Sequence, residues 1–134
     1  MTPAVFTWPV RVYWEDTDAG GIVYYANYLK FMERARTEWL RVIGLEQGPL
    51  QQQGYIFVIL DTQVEYKRPG RYGDALTVTA RIRERTRATL SFTQEIFRGG
   101  VEGELLVTGA IRVACLDAQS YKPKGLPKML VEKL

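Results

Sequence analysis

The stretch NYLKFMERARTEWLRVI, residues 27–43, places Tyr28, Met32, Ala35, Trp39 and Val42 at three- and four-residue steps. Leu29, Leu40 and Ile43 widen that stripe, and the spacing predicts one long helix from about Asn27 to Ile43. Gly44 follows where a C-cap belongs. Phe31 adds apolar surface beside the main stripe, so nearly the whole circumference is apolar enough to be wrapped by other elements.

Working outward, VRVYWE (residues 10–15) alternates Val10, Val12 and Trp14 against Arg11, Tyr13 and Glu15, the period of a half-buried strand. Beyond the helix, EQGPLQQQG (46–54) reads as a loop with room for a short helical turn. From Ile56 to about Leu116 the chain is β-rich, with LTVTARIR (76–83), TLSFTQEIF (89–97) and ELLVTGAIRVAC (104–115) as the clearest runs. RPGRYGD (68–74) and RGGVEG (98–103) mark turns between strands. The order β-α-β-β-β-β predicts an α+β domain in which one long helix lies against an antiparallel sheet of five strands. Such a sheet leaves an edge strand unpaired, and edge-to-edge dimerisation would cover it.

A chain of 134 residues is long enough for one core, so residues 1–134 are read as a single domain. No basic leader followed by an apolar segment opens MTPAVFTWPVRVYW, and no apolar run approaches a membrane span, which reads as cytoplasmic. The single cysteine, Cys115, falls in the alternating run AIRVACL and reads as a buried reduced thiol. A net charge of +3, spread along the chain, is too mild and too dispersed for a nucleic-acid surface but suits an anionic ligand.

The connection into the helix, EDTDAGGIVYYANY (15–28), concentrates the candidate chemistry. A helix N-terminus presents unpaired N–H groups and the positive end of the macrodipole, so it can hold an anion or polarise a carbonyl. Asp18 is near enough in sequence to share that pocket, while Gly20 and Gly21 allow the backbone to approach a ligand closely. The plain alternative makes Asp16 and Asp18 turn and cap residues. Calcium is disfavoured: counted as an EF-hand loop from Asp16, position five is Gly20 and position twelve is Asn27 rather than glutamate. The chain has no histidine, which excludes Ser-His-Asp, Cys-His and H-E-x-x-H chemistry. An enzyme of this composition without a cofactor would use a carboxylate as base or nucleophile, and no metal is expected.

Asn27 caps the helix or orients Asp18 or the substrate, with capping the simpler role. Tyr24, Tyr25 and Tyr28 are open between core and the lining of an acyl pocket. Glu33, about two turns into the helix, is expected to pair with Arg36 or Arg34. Arg81, Arg83, Arg85 and Arg87 alternate along the third strand and its hairpin, as on a solvated sheet face.

YWEDTDAGGIVYYANYLKFMERARTEWL (13–40) resembles the hotdog-fold acyl-CoA thioesterases of the 4-hydroxybenzoyl-CoA thioesterase type, and most of all their Tol-Pal-cluster-associated subgroup. The likeness continues through VEYKRPGRYGD (64–74) and SFTQEIF (91–97) to KPKGLPK (122–128). It implies a central helix wrapped by a five-stranded antiparallel sheet, protomers paired edge to edge into a homodimer or homotetramer, and a site built between protomers. It also implies that Asp18 is the catalytic carboxylate and that a backbone N–H near Tyr25 holds the thioester oxygen. Arg87 matches a basic hairpin position that lies near the CoA nucleotide in that family. The subgroup usually has histidine where this chain has Tyr25, whereas the 4-hydroxybenzoyl group has an aromatic, so the loop does not choose between short-chain and aromatic acyl groups. The implied activity is hydrolysis of acyl-CoA thioesters, with acyl-carrier-protein thioesters as a variant and a non-catalytic acyl- or CoA-binding module as the alternative.

Overall fold

The computed structural model describes residues 5–134; the first four residues of the expected domain, and the start of the N-terminal reading, lie outside the described residues. The elements are β1 (Phe6–Arg11), a 3-10 turn at Trp14–Asp16, α1 (Asn27–Val42), α2 (Gln47–Gln52), β2 (Tyr55–Tyr66), β3 (Ala75–Arg85), β4 (Thr89–Arg98), β5 (Glu104–Asp117) and α3 (Lys128–Val131). All pairings are antiparallel, in the order β1-β3-β4-β5-β2, as expected for an α+β hotdog fold. Phe31, Met32 and Ala35 of α1 are fully buried together with Val78, Ile96, Leu106 and Val107 of the sheet. Burial of a side chain the size of Phe31 or Met32 contributes about 1.5–3 kcal/mol.

The first strand lies further upstream than its alternation predicts, ending at Arg11 instead of Glu15. Val10 and Val12 are buried as expected, but Trp14 is 71% exposed. The Asp16 carboxylate accepts the Tyr13 N–H at 2.8 Å and turns the chain out of the sheet, a local bond that periodicity does not register. Pro9 falls within β1, where an edge strand tolerates the missing donor.

The helix is also less enclosed than its composition predicts. Its Tyr28–Phe31–Met32–Ala35 face is buried, whereas Leu29, Lys30, Glu33, Arg34 and Val42 are exposed in the single chain. One sheet covers one side of a cylinder, and the opposite side carries the charges. Gln94, fully buried on β4, fastens helix to sheet: its Nε2 donates to Met32 O (3.0 Å) and Thr79 O (3.1 Å), and its Oε1 accepts from Arg36 (2.9 Å). With both ends of its amide satisfied, it fixes the helix's register on the sheet without leaving a buried polar group unpaired.

The segment read as a loop at 46–54 contains α2, anchored by the buried Leu50. The tail contains α3, anchored by Leu126 and Leu130. Cys115 is buried and unpaired, and burial pushes its thiol pKa up, in keeping with a packing role. The strand order leaves β1 and β2 as the two edges, and β2 is the longer, with Ile59 and Leu60 about half exposed on it. No helix among the described residues is long and apolar enough to cross a membrane.

Candidate active site

The carboxylate loop is a small hairpin. Thr17 and Val23 form an antiparallel bridge, Asp18 N–H donates to Ile22 O (2.9 Å), and Gly21 N–H donates to Asp18 O (3.0 Å). Gly21 has φ +78°, a conformation that nearly any side chain would strain. The Asp18 side chain accepts Gly20 N–H through Oδ1 at 2.8 Å and is exposed. That single bond orients the carboxylate; its other oxygen makes no hydrogen bond among the described residues. A Cβ on Gly20 would stand 3.2 Å from Asp18 Oδ1, so glycine there preserves the arrangement.

Asp16 and Asp18 therefore differ in kind. Asp16 is occupied at every acceptor that the loop uses: its carboxylate takes Tyr13 N–H, and its carbonyl takes Tyr24 N–H (2.9 Å) and Asn27 Nδ2 (2.9 Å). Asn27 corrects the expectation of a cap. The N-cap position is Ala26, with no side-chain cap, and Asn27 is a buried first-turn residue that ties the helix back to the loop. Its amide is directed to a carbonyl 11 residues upstream instead of to its own helix's N–H groups.

The start of α1 supplies an open donor. Tyr24 O accepts Asn27 N–H at 2.8 Å, so the planar Tyr24–Tyr25 peptide directs its N–H the opposite way, out of the helix. That Tyr25 N–H makes no hydrogen bond among the described residues. The following carbonyl, Tyr25 O, is held by the Tyr66 hydroxyl at 3.2 Å. Tyr66, on β2, was not among the residues singled out from the sequence. It lies 41 residues from Tyr25, and only strand placement brings the two together.

The three tyrosines separate. Tyr24 (46% exposed) and Tyr25 (62%) stand at the surface with rings 4.9 Å apart. Tyr28 is a correction to the pocket reading: it is 3% exposed and its hydroxyl accepts Gly70 N–H at 2.9 Å, which makes it core. Burial raises its phenol pKa, against the weaker lowering effects of the Gly70 bond and the Arg98 charge.

Arg87 is not at this site within one chain. The loop adjoins the Ala75 end of β3, as Ile22 bridges Arg71 and Ala75 pairs with Arg11, whereas Arg87 follows the Arg85 end. Eleven residues of strand separate the two ends, about 33 Å at the usual rise. Arg87 instead lies against Gly125 of the tail, and its carbonyl accepts Leu126 N–H at 2.8 Å. Glu33 is a further correction. It pairs with neither Arg34 nor Arg36 among the described residues, because Arg36 turns inward to Gln94. Arg81, Arg83 and Arg85 are exposed, as a solvated face requires.

Residues 12–134 match the sequence pattern of the thioesterase-like superfamily. The acyl-CoA thioester hydrolase YbgC of Escherichia coli is 44% identical over 131 residues, which is 98% of this chain and 96% of that protein. The acyl-CoA thioesterase YbgC of Haemophilus influenzae is 41% identical over 124 residues, 92% of this chain and 89% of that one. The crystal structure of a probable thioesterase from Bartonella henselae superposes with a TM-score of 0.80 at 34% identity, covering 93% of this chain and all of the other.

Proposed function

We propose, from the premise that this chain belongs to the thioesterase-like superfamily and hydrolyses acyl-CoA thioesters, that Asp18 is the reacting carboxylate and the Tyr25 N–H the oxyanion donor. The observation that carries the reading is the pairing of an exposed, singly hydrogen-bonded carboxylate with a backbone N–H left unpaired and aimed out of the same helix start. Asp18 takes a proton from water as the water oxygen adds to the thioester carbon. The negative charge moves to the carbonyl oxygen, where the Tyr25 N–H and the helix dipole stabilise it. Collapse breaks the carbon–sulfur bond, and the proton held by Asp18 goes to the CoA thiolate. Tyr24 and Tyr25 flank the acyl group, and Gly20, Gly21 and Asn27 hold the loop in shape.

The likeness to the YbgC proteins supports placement in the Tol-Pal-cluster-associated subgroup; a cytoplasmic enzyme that uses no cofactor belongs to the same proposal. We assign it a homodimer, or a tetramer of such dimers, formed along β2. The unpaired twelve-residue edge with Ile59 and Leu60 supports this, as does the exposed flank of α1. In such an assembly the Arg87 of a second copy, not of the same chain, serves the CoA phosphates. Steady-state rates on short-chain, long-chain and aromatic acyl-CoAs, measured for the wild type and Asp18→Asn, test the assignment. Turnover by the wild type that survives Asp18→Asn on every substrate would remove Asp18 from the reaction. Sedimentation at micromolar concentration is expected to show no folded monomer, and a stable monomer would end the dimer assignment.

A further inference from the structure

Tyr66, the last residue of β2, reaches the start of α1 from the sheet. Its backbone is fixed: it pairs with the fully buried Val107 of β5, and the two residues after it, Lys67 and Arg68, donate their N–H groups to Leu106 O at 2.8 and 3.1 Å. Its ring is held as well, edge-on to Tyr25 at 6.3 Å between centroids and tilted against Tyr28 at 5.7 Å. Tyr28 is itself pinned in the core by its bond from Gly70 N–H. The phenol hydroxyl thus comes from a rigid mount, and it donates to Tyr25 O at 3.2 Å. All of these contacts lie within one chain, so none depends on whether a second copy covers the β2 edge.

The Tyr25 carbonyl has no other hydrogen-bond partner among the described residues. It begins the Tyr25–Ala26 peptide, which is planar and trans, so whatever holds the carbonyl also aims the Ala26 N–H, in the opposite direction. That Ala26 N–H makes no hydrogen bond among the described residues. The preceding peptide is built alike: Asn27 N–H holds Tyr24 O at 2.8 Å, and the Tyr25 N–H is open. Two successive peptides therefore have their oxygen ends tied and their N–H ends free. Ala26 is helical, with φ −72° and ψ −21°, and the N–H groups at a helix start point the same way, out of its N-terminus. The two ties differ in origin. The bond from Asn27 N–H is backbone that any helix start supplies, whereas the bond to Tyr25 O needs a phenol brought from another element.

We infer that Tyr66 is a positioning residue for the thioester carbonyl: its hydroxyl fixes the Tyr25–Ala26 peptide so that the Ala26 N–H joins the Tyr25 N–H as a second donor to the oxygen. This role rests on the Tyr25 N–H being the oxyanion donor, and adds to it a second N–H and the side chain that aims it. A donor stabilises a developing charge best when it already points at the place where the charge appears, because nothing then has to turn as the reaction proceeds. Phenylalanine at position 66 would keep the ring packing on Tyr25 and Tyr28 and lose only the tie, which frees the peptide to rotate. At 3.2 Å the bond is long for a hydroxyl donor, so the effect of losing it is moderate.

The test uses the full chain and two inert analogues of hexanoyl-CoA: a ketone, in which a methylene replaces the thioester sulfur, and the thioether hexyl-CoA, which lacks the carbonyl. On binding, the ketone is expected to move the amide proton resonances of both Tyr25 and Ala26 downfield, and the thioether to move neither. In Tyr66→Phe the Ala26 response should shrink, and kcat should fall about three- to tenfold with KM within about twofold of the wild type, as for one hydrogen bond that matters in the transition state. An Ala26 resonance that stays in place while Tyr25 moves would overturn the role of Tyr66 and leave the Tyr25 donor standing. If neither moves, the Tyr25 donor falls and the role of Tyr66 with it. An unchanged kcat in Tyr66→Phe, or a change confined to KM, would reduce the hydroxyl to a packing group. Should Tyr66→Phe fail to fold by circular dichroism, the Ala26 response of the wild type to the two analogues decides alone. Neither analogue can be hydrolysed, so the resonances report on the donors whatever becomes of the Asp18 assignment.

Discussion

The two ends of α1 are finished in opposite ways. At the C-terminal end, Gly44 N–H donates to Arg41 O (2.9 Å) and Leu45 N–H to Leu40 O (3.0 Å), and the Leu40 and Leu45 side chains are both buried beneath that turn. This is the Schellman arrangement with its hydrophobic contact, and it satisfies carbonyls that the helix itself cannot. At the N-terminal end Ala26 provides no side-chain cap, and the Tyr25 N–H just before it is left open. The stabilising bonds there hold the loop instead: Asn27 Nδ2 and Tyr24 N–H converge on Asp16 O. One end is closed for stability, whereas the other is left open and braced from the side, which is the arrangement that the proposed oxyanion role of the Tyr25 N–H requires.

Substitutions at the two ends should therefore fail in different measurements. The largest effect is expected from Asp18→Asn, which keeps the Gly20 bond and removes the charge. Loss of an acid-base group typically costs about 10²- to 10⁴-fold, so kcat should fall at least about 100-fold with an unchanged thermal melt. Asp16→Asn should cost far less turnover, and the reverse ranking would assign the chemistry to the wrong aspartate. Next comes Asn27→Ala. It removes one bond to Asp16 O, worth about 1 kcal/mol, and should lower kcat by about tenfold as the loop loosens. Stopped-flow single turnover would show the loss in the chemical step, and a change confined to the melting temperature would make Asn27 a purely structural residue.

At the opposite end, Gly44→Ala places a side chain at φ +92° and should destabilise by about 1 kcal/mol, lowering Tm by about 4 °C. Turnover at 25 °C should not change; a drop in kcat would mean that the two ends are coupled. The smallest effect is expected from Tyr25→Phe, within about twofold of wild-type kcat, because the proposed donor is a backbone N–H that phenylalanine retains. A loss of tenfold or more would show that the phenol participates.

The amino-acid sequence alone determined the helix and its stop and the run of antiparallel strands after it, and it singled out residues 15–28 as the candidate site. These are local matters: a 3.6-residue period, a glycine where φ must be positive, and alternation along strands. It also excluded histidine chemistry outright. Other features belonged to the tertiary structure because they depend on which distant groups meet. Val10 and Val12 alternate like a longer strand, yet the Asp16–Tyr13 bond ends it early. Tyr28 and Tyr25 are equivalent aromatics on paper, but Gly70 draws one into the core and Tyr66 secures the other at the surface. Asn27 looked like a cap until Asp16 O claimed its amide, and Arg36 looked like a partner for Glu33 until Gln94, 58 residues away, turned it inward. A period reports which face a residue occupies. Which hydrogen-bond partner waits on that face is decided only when the sheet closes over the helix, since a buried polar group must pair with whatever the fold brings to it.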